Sequence, residues 1–199
     1  ILAQVLLLLL EPPLVQCCLL MQMASSAIYE AAAEESAPGT VEALLRDYDS
    51  FLFDCDGTLY HADKLLPHVE DAIGHLRSLG KRVFFVTNTS SRSSAQLQQK
   101  LSRLGIHCEA AECIPSGAFT ASYVKKTHPE AARVYVIGGQ GLVDELQRVG
   151  LECSGGAVED TEVFKDTEFE QLAEMVGRAA YDGVVVGWDT ALNYYKIAK

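Results

Sequence analysis

The residues best suited to chemistry lie in one short stretch, Phe51-Leu52-Phe53-Asp54-Cys55-Asp56-Gly57-Thr58-Leu59. An apolar run leads directly into two aspartates at i and i+2. At strand periodicity both carboxylates leave the same face, while Cys55 points to the other. Gly57 then allows a sharp turn that can expose backbone N–H groups. The stretch concentrates negative charge at the C-terminal edge of a strand, where open α/β sheets place their ligands. Carboxylates so close repel unless a shared proton or a cation relieves them. Mg²⁺ is the natural cation, because it takes a few carboxylate oxygens, keeps waters and bridges to phosphate. The plainer alternative is a surface turn in which Asp and Gly merely end a strand.

A second stretch, Arg82-Val83-Phe84-Phe85-Val86-Thr87-Asn88-Thr89-Ser90, is another apolar run that ends in hydroxyl and amide side chains. Such groups can donate hydrogen bonds to a phosphoryl oxygen without adding charge. Thr87 follows Asp54 by 33 residues, enough for one helix between two strands. The alternative for Thr87 is an ordinary N-cap of the next helix.

Together these stretches resemble the DxDGT and Thr/Ser motifs of the haloacid dehalogenase phosphatases. The resemblance implies that Asp54 is a nucleophile that forms an aspartyl-phosphate and is a ligand of Mg²⁺. It implies that Asp56 is the general acid and then base, also at the metal. Gly57, Thr87, Asn88 and Thr89 would contact the phosphoryl group. The TNT triplet departs from the common TNN, which weakens the role of Thr89 but not that of Thr87. The segment from Gly183 to Lys196, containing Trp188-Asp189-Thr190-Ala191-Leu192-Asn193-Tyr194-Tyr195, resembles part of the C2-type cap of the subfamily with phosphoglycolate, pyridoxal phosphate and 4-nitrophenyl phosphate phosphatases. That resemblance runs from about Tyr48 to Lys199. Trp188 and Tyr195 are expected as aromatic core of the cap. Lys196 is too close to the cap strand to serve as the family's catalytic lysine.

The elements that must position these residues follow from periodicity. Continuous apolar runs at 50–54, 82–87, 133–138 and 183–187 predict parallel strands covered on both faces. Apolar steps of three and four predict helices through Val69, Ala72, Ile73, Leu76 and Leu79; Leu97, Leu101 and Leu104; Leu142, Leu146 and Val149; and Phe169, Leu172, Ala173 and Val176. Gly80, Gly105 and Gly150 read as C-caps. The fold class is therefore α/β, and the resemblance implies a Rossmannoid three-layer core with a parallel sheet plus an inserted α/β cap of C2 type, both incomplete here. Residues 1–40 read as disordered or non-native, 41–130 as the first half of the core, and 131–199 as the first part of the cap. The turn Gly138-Gly139-Gln140-Gly141 imitates a dinucleotide fingerprint, but Asp144 stands where the third glycine belongs, and a connection at the start of the cap is the better reading. His61, His68, His75, His107 and His128 show no ligand spacing; His68 and His75 are expected on a solvated helix face, and His61 lies nearest the DGT turn.

Composition narrows the classes. A hydrophobic share of 49% supports a packed core, and a net charge of -11 argues against nucleic acid as a partner. Six scattered cysteines form no CxxC pair, so reduced thiols and a cytoplasmic location are expected. The apolar run 5–10 is stopped by Glu11, Pro12 and Pro13, far short of a membrane span, and lacks the basic start of a signal peptide. Residues ahead of Met21 or Met23 read as upstream translation, with a truncated targeting segment as the alternative.

The reading as a whole is Mg²⁺-dependent hydrolysis of a small phosphorylated metabolite, 2-phosphoglycolate first, with 4-nitrophenyl phosphate in vitro. No nucleic acid or membrane partner is expected, and a homodimer would form through the cap. The alternative is a catalytically inactive binding or regulatory protein of the same fold. The family's later lysine and third metal aspartate are expected beyond Lys199, so the 199 residues alone should not turn over phosphomonoesters. In the completed protein, deleting residues 1–40 should leave fold and activity unchanged, checked by circular dichroism and phosphate release. An insoluble product would show that the segment packs on the core.

Overall fold

The computed structural model describes residues 41–160 and 180–199. The N-terminal segment 1–40 and the helix expected through Phe169 to Val176 lie outside the described residues. The chain divides at Asp49. The helix Val41–Asp47 belongs to the unit that ends there, and the remainder from Ser50 belongs to the other.

Two parallel sheets carry the larger unit. In the first, β1 (Ser50–Asp54), β4 (Arg82–Thr87) and β5 (Cys113–Pro115) lie in the order β1-β4-β5. In the second, β6 (Arg133–Ile137) is central, flanked by β7 (Glu152–Gly155) and β8 (Gly183–Val186). A small hairpin of β2 (Tyr60–His61) and β3 (Lys64–Leu65) follows the first strand. Helices Val69–Ser78, Ser94–Arg103, Ser116–Thr127 and Gln140–Arg148 connect the strands. Parallel strands linked through helices are the expected α/β pattern. No helix among the described residues is long and apolar enough to cross a membrane.

Coverage of the strands differs from expectation. Central β6 is buried along four of its five residues, as a strand covered on both faces must be. Strands β1 and β8 are only half covered among the described residues, with Leu52, Val184 and Val186 exposed. A β8 that borders one neighbour only has less to bury it than β6, which has two.

Helix ends follow local chemistry. Ser93 caps Ser94–Arg103 through its hydroxyl, and Gln96 returns the bond to the Ser93 N–H, a full capping box. The expected stops at Gly80, Gly105 and Gly150 are all present, each glycine with positive φ. His75 is exposed on its helix, whereas His68 sits just ahead of it in left-handed backbone. The second sheet's core joins Val134, Val136 and Val185 to Leu142, Leu146 and Leu151.

The helix Ser116–Thr127 has no run of large apolar residues, and its buried face is Gly117, Ala118, Thr120 and Ala121. Small side chains there let it lie close to Gln140–Arg148; a Cβ on Gly117 would stand 3.4 Å from Leu142 Cδ1. The glycine-rich turn after β6 has a related explanation. A Cβ on Gly141 would fall 2.4–2.6 Å from the backbone of Arg92, so the glycine gives room for another chain segment, not for a cofactor.

One expectation is corrected and one upheld in the segment 187–198. Trp188 is not a core aromatic: it is 48% exposed, continuing the exposed alternation of Val184 and Val186 past the end of β8, while its backbone N–H donates to Ser90 Oγ at 2.9 Å. Tyr195 is buried. Lys196 is fully buried as well, bonded to Asp189 Oδ2 at 2.8 Å and to the carbonyl of Gly156 at 3.0 Å. A buried ammonium persists only with such partners.

Paired substitutions test the packing argument. Gly141→Ala should cost about 1–3 kcal/mol through overpacking. Gly74→Ala, in a helix interior with open space around it, should gain about 0.5–1 kcal/mol. Urea midpoints of the two variants should move in opposite directions; a Gly141→Ala protein as stable as the parent would refute the close approach to Arg92.

Candidate active site

The register of the first sheet brings the two motifs to one edge. Asp54, the last residue of β1, pairs with Val86, and Thr87 ends β4 one position further. Asp54 is exposed there, and Thr87 is buried. The Asp54 carboxyl is raised from its ordinary value, chiefly because the protein covers part of it although the residue stays open to water, with a bond from the Cys55 backbone opposing and the charge of Asp56 adding to the shift. That is the electrostatic situation a cation relieves.

The turn after β1 closes on itself. The Cys55 carbonyl accepts from the N–H groups of Thr58, Leu59 and Tyr60, and an isolated bridge joins Asp56 to Tyr60. Gly57 adopts φ +89 with nothing near its missing Cβ, so conformation and not space requires glycine. Its N–H, expected to face a phosphoryl oxygen, donates instead to the Tyr60 carbonyl at 2.8 Å. Gly57 thus shapes the turn and offers no free donor. Asp56 keeps 60% of its side chain exposed.

The second motif is braced from several sides. The Thr87 hydroxyl oxygen accepts from the Thr89 N–H at 3.3 Å, which leaves the hydroxyl hydrogen to donate elsewhere. Thr87 is not the N-cap of the following helix, because Ser93 holds that place. The exposed Asn88 is fixed through its carbonyl, which accepts from Ser116 Oγ at 3.0 Å. Thr89 shares a hydroxyl contact of 2.9 Å with Ser91, and its carbonyl accepts from the Ser116 N–H. Beyond it, Ser90 Oγ holds Trp188, and buried Glu145 accepts from the Ser94 N–H at 2.6 Å and from Arg148 at 2.8 Å.

Two groups near the carboxylates escape a motif-based reading. Lys100 is buried, with Nζ 4.0 Å from Asp56 Oδ1 and 3.8 Å above the centroid of the Tyr60 ring. The Tyr60 hydroxyl lies 3.5 Å from Asp56 Oδ2. The available signal was helical spacing: Lys100 falls on the same stripe as Leu97, Leu101 and Leu104. His61 is exposed on β2.

Asp54 and Asp56 fit a small hard cation, since adjacent carboxylates at a sheet edge offer oxygen ligands and an unrelieved repulsion. No group of three or more His, Cys, Asp or Glu side chains suited to a metal is found among the described residues.

The thiols differ sharply in environment. Burial, with the charges of Asp54 and Asp56, pushes Cys55 up to about 12, and burial pushes Cys153 up to about 11. Cys108 and Cys113 lie 3.7 Å apart, and the contact between their sulfurs lowers Cys108 and raises Cys113. Iodoacetamide at mildly alkaline pH should therefore label Cys108 ahead of Cys55, Cys113 and Cys153 in peptide mass mapping. Equal labelling of Cys55 would mean that the turn between the aspartates opens.

Comparison with known proteins agrees with this geometry. Residues 51–152 match the family described as haloacid dehalogenase-like hydrolase. Phosphoglycolate phosphatase 2 of Arabidopsis thaliana is 37% identical over 158 residues, covering 78% of this chain and 52% of that protein. The 4-nitrophenylphosphatase of Schizosaccharomyces pombe is 35% identical over 167 residues, covering 83% and 55%. The crystal structure of the 4-nitrophenylphosphatase from Thermotoga maritima superposes with a TM-score of 0.60 at 27% identity, over 77% of this chain and 50% of that one. The chain spans about half the length of these relatives. With both motifs on one parallel sheet edge and a family match that begins inside β1, the chain belongs to the haloacid dehalogenase-like hydrolases.

Proposed function

We propose that this chain carries the nucleophile and the phosphate-binding edge of a magnesium-dependent phosphomonoester hydrolase. The observation that supports this most is the register that ends β1 at Asp54 and β4 at Thr87 on one sheet edge, with Asp54 paired to Val86, one position before Thr87. Asp54 and Asp56 would hold Mg²⁺, which would neutralise phosphoryl charge.

Asp54 attacks phosphorus, the bond to the leaving oxygen breaks, and Asp56 gives that oxygen its proton. The aspartyl-phosphate is then opened by water. Asp56 takes the water's proton, the oxygen adds to phosphorus, and orthophosphate leaves with Asp54 restored. Thr87 donates its free hydroxyl hydrogen to a phosphoryl oxygen, where charge gathers in the transition state. Phosphoryl transfer needs little beyond such positioning and charge stabilisation.

Residues 131–199, with the second sheet, act as the first part of a cap that closes over substrate and selects the leaving group. The names of the relatives favour small phosphomonoesters, with 2-phosphoglycolate as the physiological candidate and 4-nitrophenyl phosphate as a laboratory substrate. Dimerisation through that cap is part of the same proposal.

In the full-length protein, Asp54→Asn should abolish phosphate release from both substrates, because an amide does not attack phosphorus. Asp56→Asn should cripple turnover while retaining binding of a phosphate analogue. Thr87→Ala should cost about 2–4 kcal/mol of transition-state stabilisation, read from kcat/KM. Parental turnover by Asp54→Asn would remove it from the nucleophile's place.

A further inference from the structure

The helix Ser94–Arg103 turns a cation inward. Lys100 lies three residues after Leu97 and beside Leu101 on the buried stripe, and its side chain is only 8% exposed. Lysines on helices ordinarily carry their ammonium out to water, because desolvation costs several kcal/mol unless a partner compensates. A leucine or methionine would fill this place in the core without that cost. A lysine meant to bind substrate phosphate would need an open ammonium, and this one is covered.

Its partners belong to one local unit. Nζ stands 3.8 Å over the ring of Tyr60, itself 1% exposed, and 4.0 Å from Asp56 Oδ1. The Tyr60 hydroxyl approaches the other oxygen, Asp56 Oδ2, at 3.5 Å. Both carboxylate oxygens are thus addressed from the protein side by groups stacked on each other, while the outer side of Asp56 stays open. Asp56 has no regular strand or helix to fix it, only the short turn from Cys55 to Tyr60. Contacts of this length in an unliganded site tighten in the reacting complex.

We infer that Lys100, backed by Tyr60, is a positioning residue that holds the Asp56 carboxyl where its proton reaches the leaving oxygen. This rests on the function proposed above, and it assigns a role to a residue outside both motifs. The brace serves Asp56 in both halves of the reaction, but only the acid half, which kcat/KM reports, depends on the leaving group. Nitrophenolate departs readily without a proton, whereas the alkoxide of glycolate needs one as its bond to phosphorus breaks. Losing the brace must therefore slow the alkyl ester far more than the aryl ester.

The test compares 2-phosphoglycolate with 4-nitrophenyl phosphate in the full-length protein, with magnesium, for the parent, Lys100→Met, Lys100→Arg and Tyr60→Phe. For Lys100→Met, kcat/KM on the alkyl ester should fall about 10–100-fold, within the range of general acid catalysis, with less than about a threefold fall on the aryl ester. Lys100→Arg should recover most of the alkyl rate, and Tyr60→Phe should show a smaller loss of the same selectivity. Equal losses of kcat/KM on both esters would overturn the inference. If Lys100→Met does not fold, judged by its melting curve, the ester ratios of Lys100→Arg and Tyr60→Phe decide: a parental ratio in Tyr60→Phe overturns the inference. Asp54→Asn separates this from failure of the parent reading. A parent that turns over neither ester defeats the proposed function, whereas a working parent and a dead Asp54→Asn leave only the ester ratio to judge Lys100.

Discussion

Five parallel pairs, from Ser50 with Arg82 to Asp54 with Val86, set how far the first strand reaches along its neighbour. The active edge depends on that register. A slip of one residue would reverse the faces of every side chain on β1, turning Cys55 out of the core and shifting Asp54 along the edge where β4 ends. The apolar residues guard against it: Val83 and Phe85 are buried, and Cys55 lies on the covered side of the turn. Burial of a few side chains on β4 thus fixes the place of a carboxylate that is itself exposed.

The loop after β4 depends on a second constraint, contact with the other sheet. Between Asn88 and Ser94 the chain is held by Ser116, Trp188 and Glu145, residues from three separate parts of the sequence. Glu145 is the costliest of these ties, because it is a charge with almost no access to water. Its bonds to Ser94 N–H and Arg148 answer that cost, and losing them would leave an unpaired carboxylate inside the protein. A rigid loop matters here because Thr87 can stabilise a transition state only if its hydroxyl is already in place. The ties to Trp188 and Glu145 join this loop to segments that follow β8 and β6 of the second sheet.

Much of this was legible in the sequence, and the exceptions have physical causes. Long apolar runs announced β1, β4, β6 and β8, since strands that bury several large side chains leave a continuous signal. Strands β5 and β7 left none, because Cys113-Ile114-Pro115 and Glu152-Cys153-Ser154-Gly155 are too short and mixed. The helix Ser116–Thr127 was hidden because close packing demanded small residues where a periodic pattern would show large ones. At the site, side-chain chemistry located Asp54, Asp56 and Thr87 but could not foresee that the N–H of Gly57 would turn inward. Lys100 was missed because a charge within an apolar stripe reads as the helix's solvated edge until a partner is seen above it. Trp188 was misplaced because its size reads as core, whereas it falls on the alternation that leaves Val184 and Val186 exposed.

The contact at Gly141 divides the work of one residue. The atoms nearest its absent Cβ are the N, Cα and C of Arg92, so main chain meets main chain there. The clash a Cβ would meet at position 141 therefore does not depend on which side chain stands at position 92. That side chain is left to another use, and its charge acts on the buried Tyr60 beside the carboxylates. Packing and electrostatics are thereby served by separate parts of a single residue.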